Sequence, residues 1–396
     1  MRRYLTIAAV VILLIGVGVA IYFFFFAKPA VTTTPGTTLP TAGQGAVPGQ
    51  ATTGTPSTTP GTPTAVSARL VKISAGPVVL GMVVVSKAGN ASTSPETTVT
   101  YIERRSGNVF SYSSSLKTLT RTSNKTIPGI QSASWLPNAS LAFVRYLSGD
   151  DFSTINTYGL PANGVGGFFL PQNLADISVS PTNILTLASG VNGSVASLLR
   201  TDGTGASQAF TTPLSSIRVS FAGKNQYLVY TKPSSSLPGN AYLVDKAGAF
   251  SRVAGPRSGL VALASPSGKW VLVSYALNAA MHMELVNTIT NETLPLPVAT
   301  IADKCAWAAD DSVIYCGVPV DPSISATYPD DWYQGAAHFS DRLWKIQVVG
   351  RYAQLVLDFS KETKDSLDAV ALATDAANAT LVFVNKNDGS LWSYSL

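Results

Sequence analysis

From Arg69 onward the apolar positions fall in runs of four to eight Val, Ile, Leu, Phe, Tyr and Thr residues, separated by clusters of Gly, Pro, Asn, Asp and Ser. No stretch keeps a helical period for more than a turn or two, so the pattern predicts an all-β body. The segments "SASWLPNASLAFVRY", "DISVSPTNILTLAS", "IRVSFAGKNQYLVY", "VALASPSGKWVLVSY", "KCAWAADDSVIYC" and "AVALATDAANATLVFV" each read as strand, small polar turn, strand. With Pro137, Pro181, Ala222, Pro266 and Ala309 as equivalent turn positions, the steps are 44, 41, 44 and 43 residues. A period of about 40–45 residues with four strands per unit predicts propeller blades, small twisted sheets that bury their faces only by stacking radially.

The units number seven: Pro77–Ser123, Gln131–Leu170, Ala175–Thr212, Ser215–Ala254, Leu260–Ala299, Asp303–Phe359 and Leu367–Leu396. The seventh has three strands, and an extra strand, "ARLVKIS", precedes the first unit. Adding that strand to the outer edge of the last blade closes the ring and covers a sheet edge that would otherwise invite aggregation. The expected fold is therefore a seven-bladed β-propeller closed by an N-terminal strand, with six or eight blades as alternatives.

The first 66 residues have a different pattern. Residues 1–4 read as a short cytoplasmic tail, and 5–26, "LTIAAVVILLIGVGVAIYFFFF", carries no charge. At about 1.5 Å per residue this segment spans roughly 33 Å, enough for a membrane helix. It ends in four Phe rather than in small residues, which favours an uncleaved signal anchor over a cleaved signal peptide. Arg2 and Arg3 before it predict a cytoplasmic N-terminus and an exported body at the cell membrane. Residues 27–66 form a Thr/Pro/Gly-rich segment whose only charge is Lys28, expected to be a disordered linker. The propeller domain then occupies 67–396. The linker is expected to reach it on the side of the third-to-fourth-strand turns.

Charge narrows the function classes. Of the net +5, Arg2, Arg3 and Lys28 supply three charges, leaving 24 basic against 22 acidic residues. A near-neutral body argues against nucleic acid, which requires a concentrated cationic surface. No phosphate loop, nucleophile elbow, H-E-x-x-H or calcium-hand pattern occurs, and His282 and His338 are the only histidines. No catalytic residue, metal or cofactor is expected.

Cys305 and Cys316 flank the turn of blade six. A two-residue hairpin loop at Asp310-Asp311 would place them directly opposite each other, within disulfide range. An exported location is oxidising enough for that bond to form, and two unlinked thiols are the alternative.

The step from Ala309 to Asp375 is 66 residues, against the usual 43 or so. The excess is an insertion at 319–341, between the second and third strands of blade six, containing "ATYPDDWYQGAAHFSD". Its aromatics have two readings: a lid folded over the ring, or an exposed contact loop. In the second, the binding residues would be Tyr328, Asp330, Asp331, Trp332, Tyr333 and His338, because Trp and Tyr give large contact area at small entropic cost. Catalysis by Asp330 and Asp331 is disfavoured because paired carboxylates around a scissile bond usually come from separate strands.

Turns such as "SPSGK" after an inner strand resemble those of TolB-like and WD-repeat propellers, over Arg69 to Leu396. The Gly-His to Trp-Asp repeat pattern is missing from every blade. The anchor, the linker and the ending "NKNDGSLWSYSL" are similar to single-span exported bacterial propellers. The expected function is a membrane-anchored module at the cell envelope that binds or scaffolds an envelope or cell-surface protein. The alternatives are a carbohydrate-binding module for a glycan, with Trp332 and Tyr333 as platforms, and a hydrolase of lactonase type. The hydrolase would need ionisable groups converging on the central channel.

Overall fold

The computed structural model describes residues 62–87 and 96–396. The expected tail at 1–4, membrane segment at 5–26 and most of the linker at 27–66 lie outside the described residues. Among the described residues no helix is long and apolar enough to cross a membrane.

Seven antiparallel sheets form the body; six run from an inner to an outer strand in chain order, and the seventh takes its outer strands from the N-terminal side. Blade 1 comprises Val83–Lys87, Glu96–Ile102, Val109–Ser113 and Thr118–Arg121, and blade 2 Ile130–Trp135, Leu141–Ser148, Thr154–Pro161 and Phe168–Phe169. Blade 3 comprises Leu174–Val179, Asn183–Gly190, Gly193–Arg200 and Ser207–Thr212, and blade 4 Ile217–Ala222, Gln226–Thr231, Pro238–Asp245 and Phe250–Ser258. Blade 5 comprises Val261–Ala264, Trp270–Leu277, Ala280–Asn287 and Thr293–Pro295, and blade 6 Cys305–Trp307, Val313–Pro319, Asp341–Gln347 and Ala353–Asp358. Blade 7 takes Ala369–Thr374, Thr380–Asn385 and Leu391–Ser395 from the C-terminal end, and Leu70–Ser74 as its fourth strand. Most successive inner strands contact one another around the ring, and the short turn Ala302–Lys304 ahead of the blade 6 inner strand meets that of blade 5, as expected of a seven-bladed propeller.

The second strand of each blade explains why the repeat is visible in sequence. Both of its faces are covered by neighbouring blades, so in most blades its centre is a continuous apolar run rather than an alternating one; blade 1, with "ETTVTYI", is an exception. Ala142, Phe143 and Val144, then Val271, Leu272 and Val273, then Leu381, Val382 and Phe383 have no exposed surface. Each such Val, Leu or Phe side chain contributes roughly 1.5–3 kcal/mol by burial.

Turns at the inner ends of neighbouring blades touch through backbone. Gly223 and Gly268 both have positive φ; a Cβ on Gly223 would stand 2.3 Å from Ser267 O and one on Gly268 2.7 Å from Ala222 O, so each turn requires its glycine, Gly268 being that of "SPSGK". The same turn is tied onward to blade 6, where Asp311 accepts from the Ser267 N–H at 3.1 Å and the Ser265 hydroxyl at 2.8 Å.

The N-terminal strand closes the ring with Leu70 opposite Tyr394 and Lys72 opposite Trp392. Two residues assigned to the linker join the body: Thr64–Ala65 pairs antiparallel with Lys72 and Val71 on the outer side of that strand. The chain therefore arrives running opposite to Leu70–Ser74, from the direction of the insert-bearing face. This corrects the expected side of approach, because a two-residue strand in polar sequence has no period to reveal it.

In blade 6, Cys305 pairs with Cys316, Ala306 with Tyr315 and Trp307 with Ile314. The two cysteines form a disulfide across Cα atoms 4.1 Å apart.

Candidate functional site

The insertion leaves blade 6 at Pro319 and returns at Asp341, its neck closed by Val320 N–H donating to Ser340 O at 2.9 Å. Between them lies a one-turn helix, Asp330–Gln334, and the Asp331 carboxylate ties it to the chain ahead of it by accepting the Thr327 N–H at 2.7 Å. It stops at Gly335, which has φ 79°. This compact fold directs the side chains of successive residues to different partners.

Asp330 reaches blade 4, where its carboxylate accepts the Ser235 N–H at 3.0 and 3.1 Å and the Ser235 hydroxyl at 2.7 Å. Tyr328 and Pro329 lie over blade 5, with Pro329 so close to Gly259 that a Cβ there would be 2.7 Å from the ring. Tyr333 donates its hydroxyl to Asp303 at 2.7 Å, and Arg218 of blade 4 donates to the same oxygen at 3.1 Å. Trp332, only 3 % exposed, donates Nε1–H to Asp368 Oδ2 at 3.0 Å. His338 meets Asn387 of blade 7 at 3.2 Å. The insertion thus spans blades 4 to 7 as a lid.

Of the six residues expected to contact a ligand, Tyr328 and Trp332 are buried, Asp330, Asp331 and Tyr333 are half-buried, and His338 is exposed. Tyr328, Trp332 and Phe339 pack on one another, with Tyr328–Phe339 ring centroids 5.3 Å apart and Trp332–Phe339 6.2 Å.

Beneath the lid lies a polar cluster. Lys304, just ahead of the inner strand of blade 6, has no exposed side-chain surface and donates to Asp341 at 2.7 Å and to Asp368. The Trp332 and Phe339 rings cover its ammonium at 5.3 and 5.0 Å. Asp341 Oδ2 also accepts the Ala369 N–H at 2.7 Å, in a space so tight that a Cβ on Gly317 would approach it to 2.8 Å. Burial pushes the Asp341 carboxyl up to about 6; Lys304 opposes the shift and Asp368 adds to it.

An arc of charge continues from this cluster along the inner strands. Burial works against the charge of Arg218, yet its neighbours, Asp303 among them, hold the guanidinium above its ordinary value. Burial and then Asp303 push the Tyr333 phenol well above the usual range. Asp176 on blade 3 accepts the Val219 and Ile177 N–H groups, each at 2.9 Å, and burial still raises its carboxyl.

These groups were absent from the expected site. The inner strands hold few charges, but Asp303, Lys304 and Asp368 stand one or two residues ahead of them, and Asp176 and Arg218 near their first residues. In a chain with 12 % charged residues, charges at that recurring position are the signal that could have found them. Among the described residues no group of three or more His, Cys, Asp or Glu could hold a metal ion. A separate open depression of about 880 Å³, with Lys224, Asn225 and Lys246 in its wall, lies on the opposite face, between blades 4 and 5.

No protein-family model matches the chain. None of the curated proteins matches it in sequence. Solved structures do match. An oligogalacturonate lyase in complex with manganese aligns with a TM-score of 0.54 and 9 % identity over 81 % of this chain and 96 % of that one. Virginiamycin B lyase from Staphylococcus aureus aligns with a TM-score of 0.51 and 9 % identity over the same shares, 81 % and 96 %. TolB from Acinetobacter baumannii aligns with a TM-score of 0.43 and 10 % identity over 69 % and 78 %. The chain is similar to these proteins as a β-propeller, and at such identities the likeness concerns the fold alone.

Proposed function

We propose that this protein is a binding or scaffolding module that docks a protein partner on the face built from its second-to-third-strand connections. One observation carries this reading. In blades 2 to 6 each of those connections exposes a large apolar residue at or beside its tip: Phe152, Val191, Leu237, Leu277 and Ile324, between 48 % and 101 % exposed. Single exposed apolar residues are ordinary on a protein surface, but recurrence at one structural position on five successive blades is not. The corresponding connections of blades 1 and 7, at 103–108 and 386–390, are polar and carry Arg104, Arg105, Lys386 and Asp388 instead. The face therefore offers an apolar arc flanked by charge, the arrangement of a protein interface with its polar rim.

The carboxylates near the channel mouth are each held by a cation or a backbone N–H, which favours binding over hydrolysis. Burial of Trp332 disfavours its use as a sugar platform. In this reading the apolar segment at 5–26 is the membrane anchor, and the Cys305–Cys316 disulfide supports an oxidising, extracytoplasmic location.

The test is proximity crosslinking of the full chain in native membranes. Phe152→Asp, Leu237→Asp and Ile324→Asp together should abolish capture of a neighbour that Leu116→Asp, on the opposite face, still captures. Equal capture by both variants would sink the reading.

A further inference from the structure

The cluster beneath the lid has the composition and placement for a reaction among its own members. Lys304 and Asp368 lie 64 residues apart, at the starts of adjacent inner strands, and touch through Nζ and Oδ1 with no exposed side-chain surface on either. The other oxygen of Asp368 accepts two N–H groups, Trp332 Nε1 at 3.0 Å and the Phe339 backbone at 3.2 Å. Asp341 holds the same Nζ through Oδ2, while its buried Oδ1 has no partner. Half-buried Lys386, whose Nζ lies 5.1 Å from the Trp332 ring, is a further cation near Asp368.

We infer that Lys304 Nζ and Asp368 Cγ become joined by an intramolecular amide bond in the folded protein, with Asp341 as the proton-transfer group. The reaction condenses an ammonium and a carboxylate into an amide and one water. Asp341 takes a proton from Nζ, and the freed lone pair attacks Asp368 Cγ to form the C–N bond. Negative charge then develops on Asp368 Oδ2, where the Trp332 and Phe339 N–H groups already point, as in an oxyanion hole. The Cγ–Oδ1 bond breaks, and Oδ1 leaves as water carrying two protons from Nζ, both passed through Asp341. Asp341 ends in the protonation state in which it began. No oxidant, reductant or cofactor enters the balance.

The fold supplies what this reaction lacks in water. Two groups held in contact within one molecule react as though at very high concentration. The aromatic roof excludes the water that would reverse the condensation. Burial also brings Asp341 to about 6, where it passes readily between its acid and base forms. The product would tie blade 6 to blade 7 beneath the insertion, and its carbonyl oxygen would keep both N–H donors.

Intact-mass measurement of the full chain, reduced and denatured, tests this directly. The expected result is a mass one water below that of the sequence, with proteolysis giving a branched peptide that links the Lys304 and Asp368 segments. Asp341→Asn should restore the full mass, and its fold is checked by circular dichroism. Wild-type protein of full mass overturns the inference whether or not any variant folds. So does a water loss that maps elsewhere, for instance to Asp202-Gly203 or Asp388-Gly389. A folded Asp341→Asn protein that still carries the branched peptide overturns the role of Asp341.

Discussion

Trp332, in the blade 6 insertion, donates its indole N–H to Asp368, at the start of the inner strand of blade 7, across 3.0 Å in a site closed to solvent. The insertion lies outside the blade repeat, yet its largest side chain completes the hydrogen bonding of a residue within it. Trp332→Ala removes a buried ring and leaves an acceptor unpaired. It should destabilise the protein by about 3–5 kcal/mol. Trp332→Phe keeps most of the ring and loses the donor, so its cost should be smaller, about 1–3 kcal/mol. Denaturant unfolding measures both. Equal stability of Trp332→Ala and wild type would return the insertion to the role of a dispensable loop.

What was legible in the sequence had a period or a register. "WVLVSY" and "LVFV" are recognisable as second strands because burial on both faces makes them continuously apolar. Cys305 and Cys316 could be paired because a two-residue turn determines which residues oppose. The direction of Tyr328 and Trp332 had no such cue, since a loop aromatic reads the same facing inward or outward. Lys304, Asp341 and Asp368 were invisible as a group because their separations, 37 and 64 residues, are fixed only by the packing of adjacent blades. Thr64–Ala65 is too short for any pattern.

Asp341 should give the protein a distinctive pH response. Its carboxyl titrates near 6 in the folded state against an ordinary value of 3.8, mainly through burial. Between those values the native state keeps a proton that the unfolded chain has released. The stability this contributes is present below about 4 and is lost as pH rises through about 6. Wild type should therefore lose stability relative to Asp341→Asn from pH 4 to pH 7, on the order of 1 kcal/mol per pH unit at the steepest point. Melting curves of the two proteins across that range check it. A constant difference would mean that Asp341 has no shifted titration.

The disulfide closes a short hairpin, with a sequence separation of 11. Loop-closure entropy for a link of this size is worth about 2–3 kcal/mol. The double variant Cys305→Ala, Cys316→Ala should be less stable by that order in the absence of reductant and should equal the reduced wild type. Thiol titration of the denatured, unreduced wild type should find no free thiol. Two free thiols would remove the bond and, with it, one support for an oxidising location.

Closure of the ring rests on one short strand. Leu70 and Ile73 have no exposed surface, and Arg69 adds a 2.7 Å hydrogen bond to Ser395 O, with its guanidinium 4.7 Å from the Tyr394 ring. Leu70→Ala and Ile73→Ala should each cost about 2–5 kcal/mol, because the backbone pairing with Leu391–Ser395 limits how far the site can collapse. Removing 62–74 should do more than remove their sum. It bares the hydrogen-bonding edge of Leu391–Ser395 and the faces of Trp392 and Tyr394, and an open edge of that kind pairs with another copy of itself. The truncated protein should melt at lower temperature and scatter light with a concentration-dependent onset, whereas the two point variants should melt earlier without aggregating at the same concentration. An unchanged melting temperature after truncation would show that the three C-terminal strands of blade 7 hold the ring without their N-terminal partner.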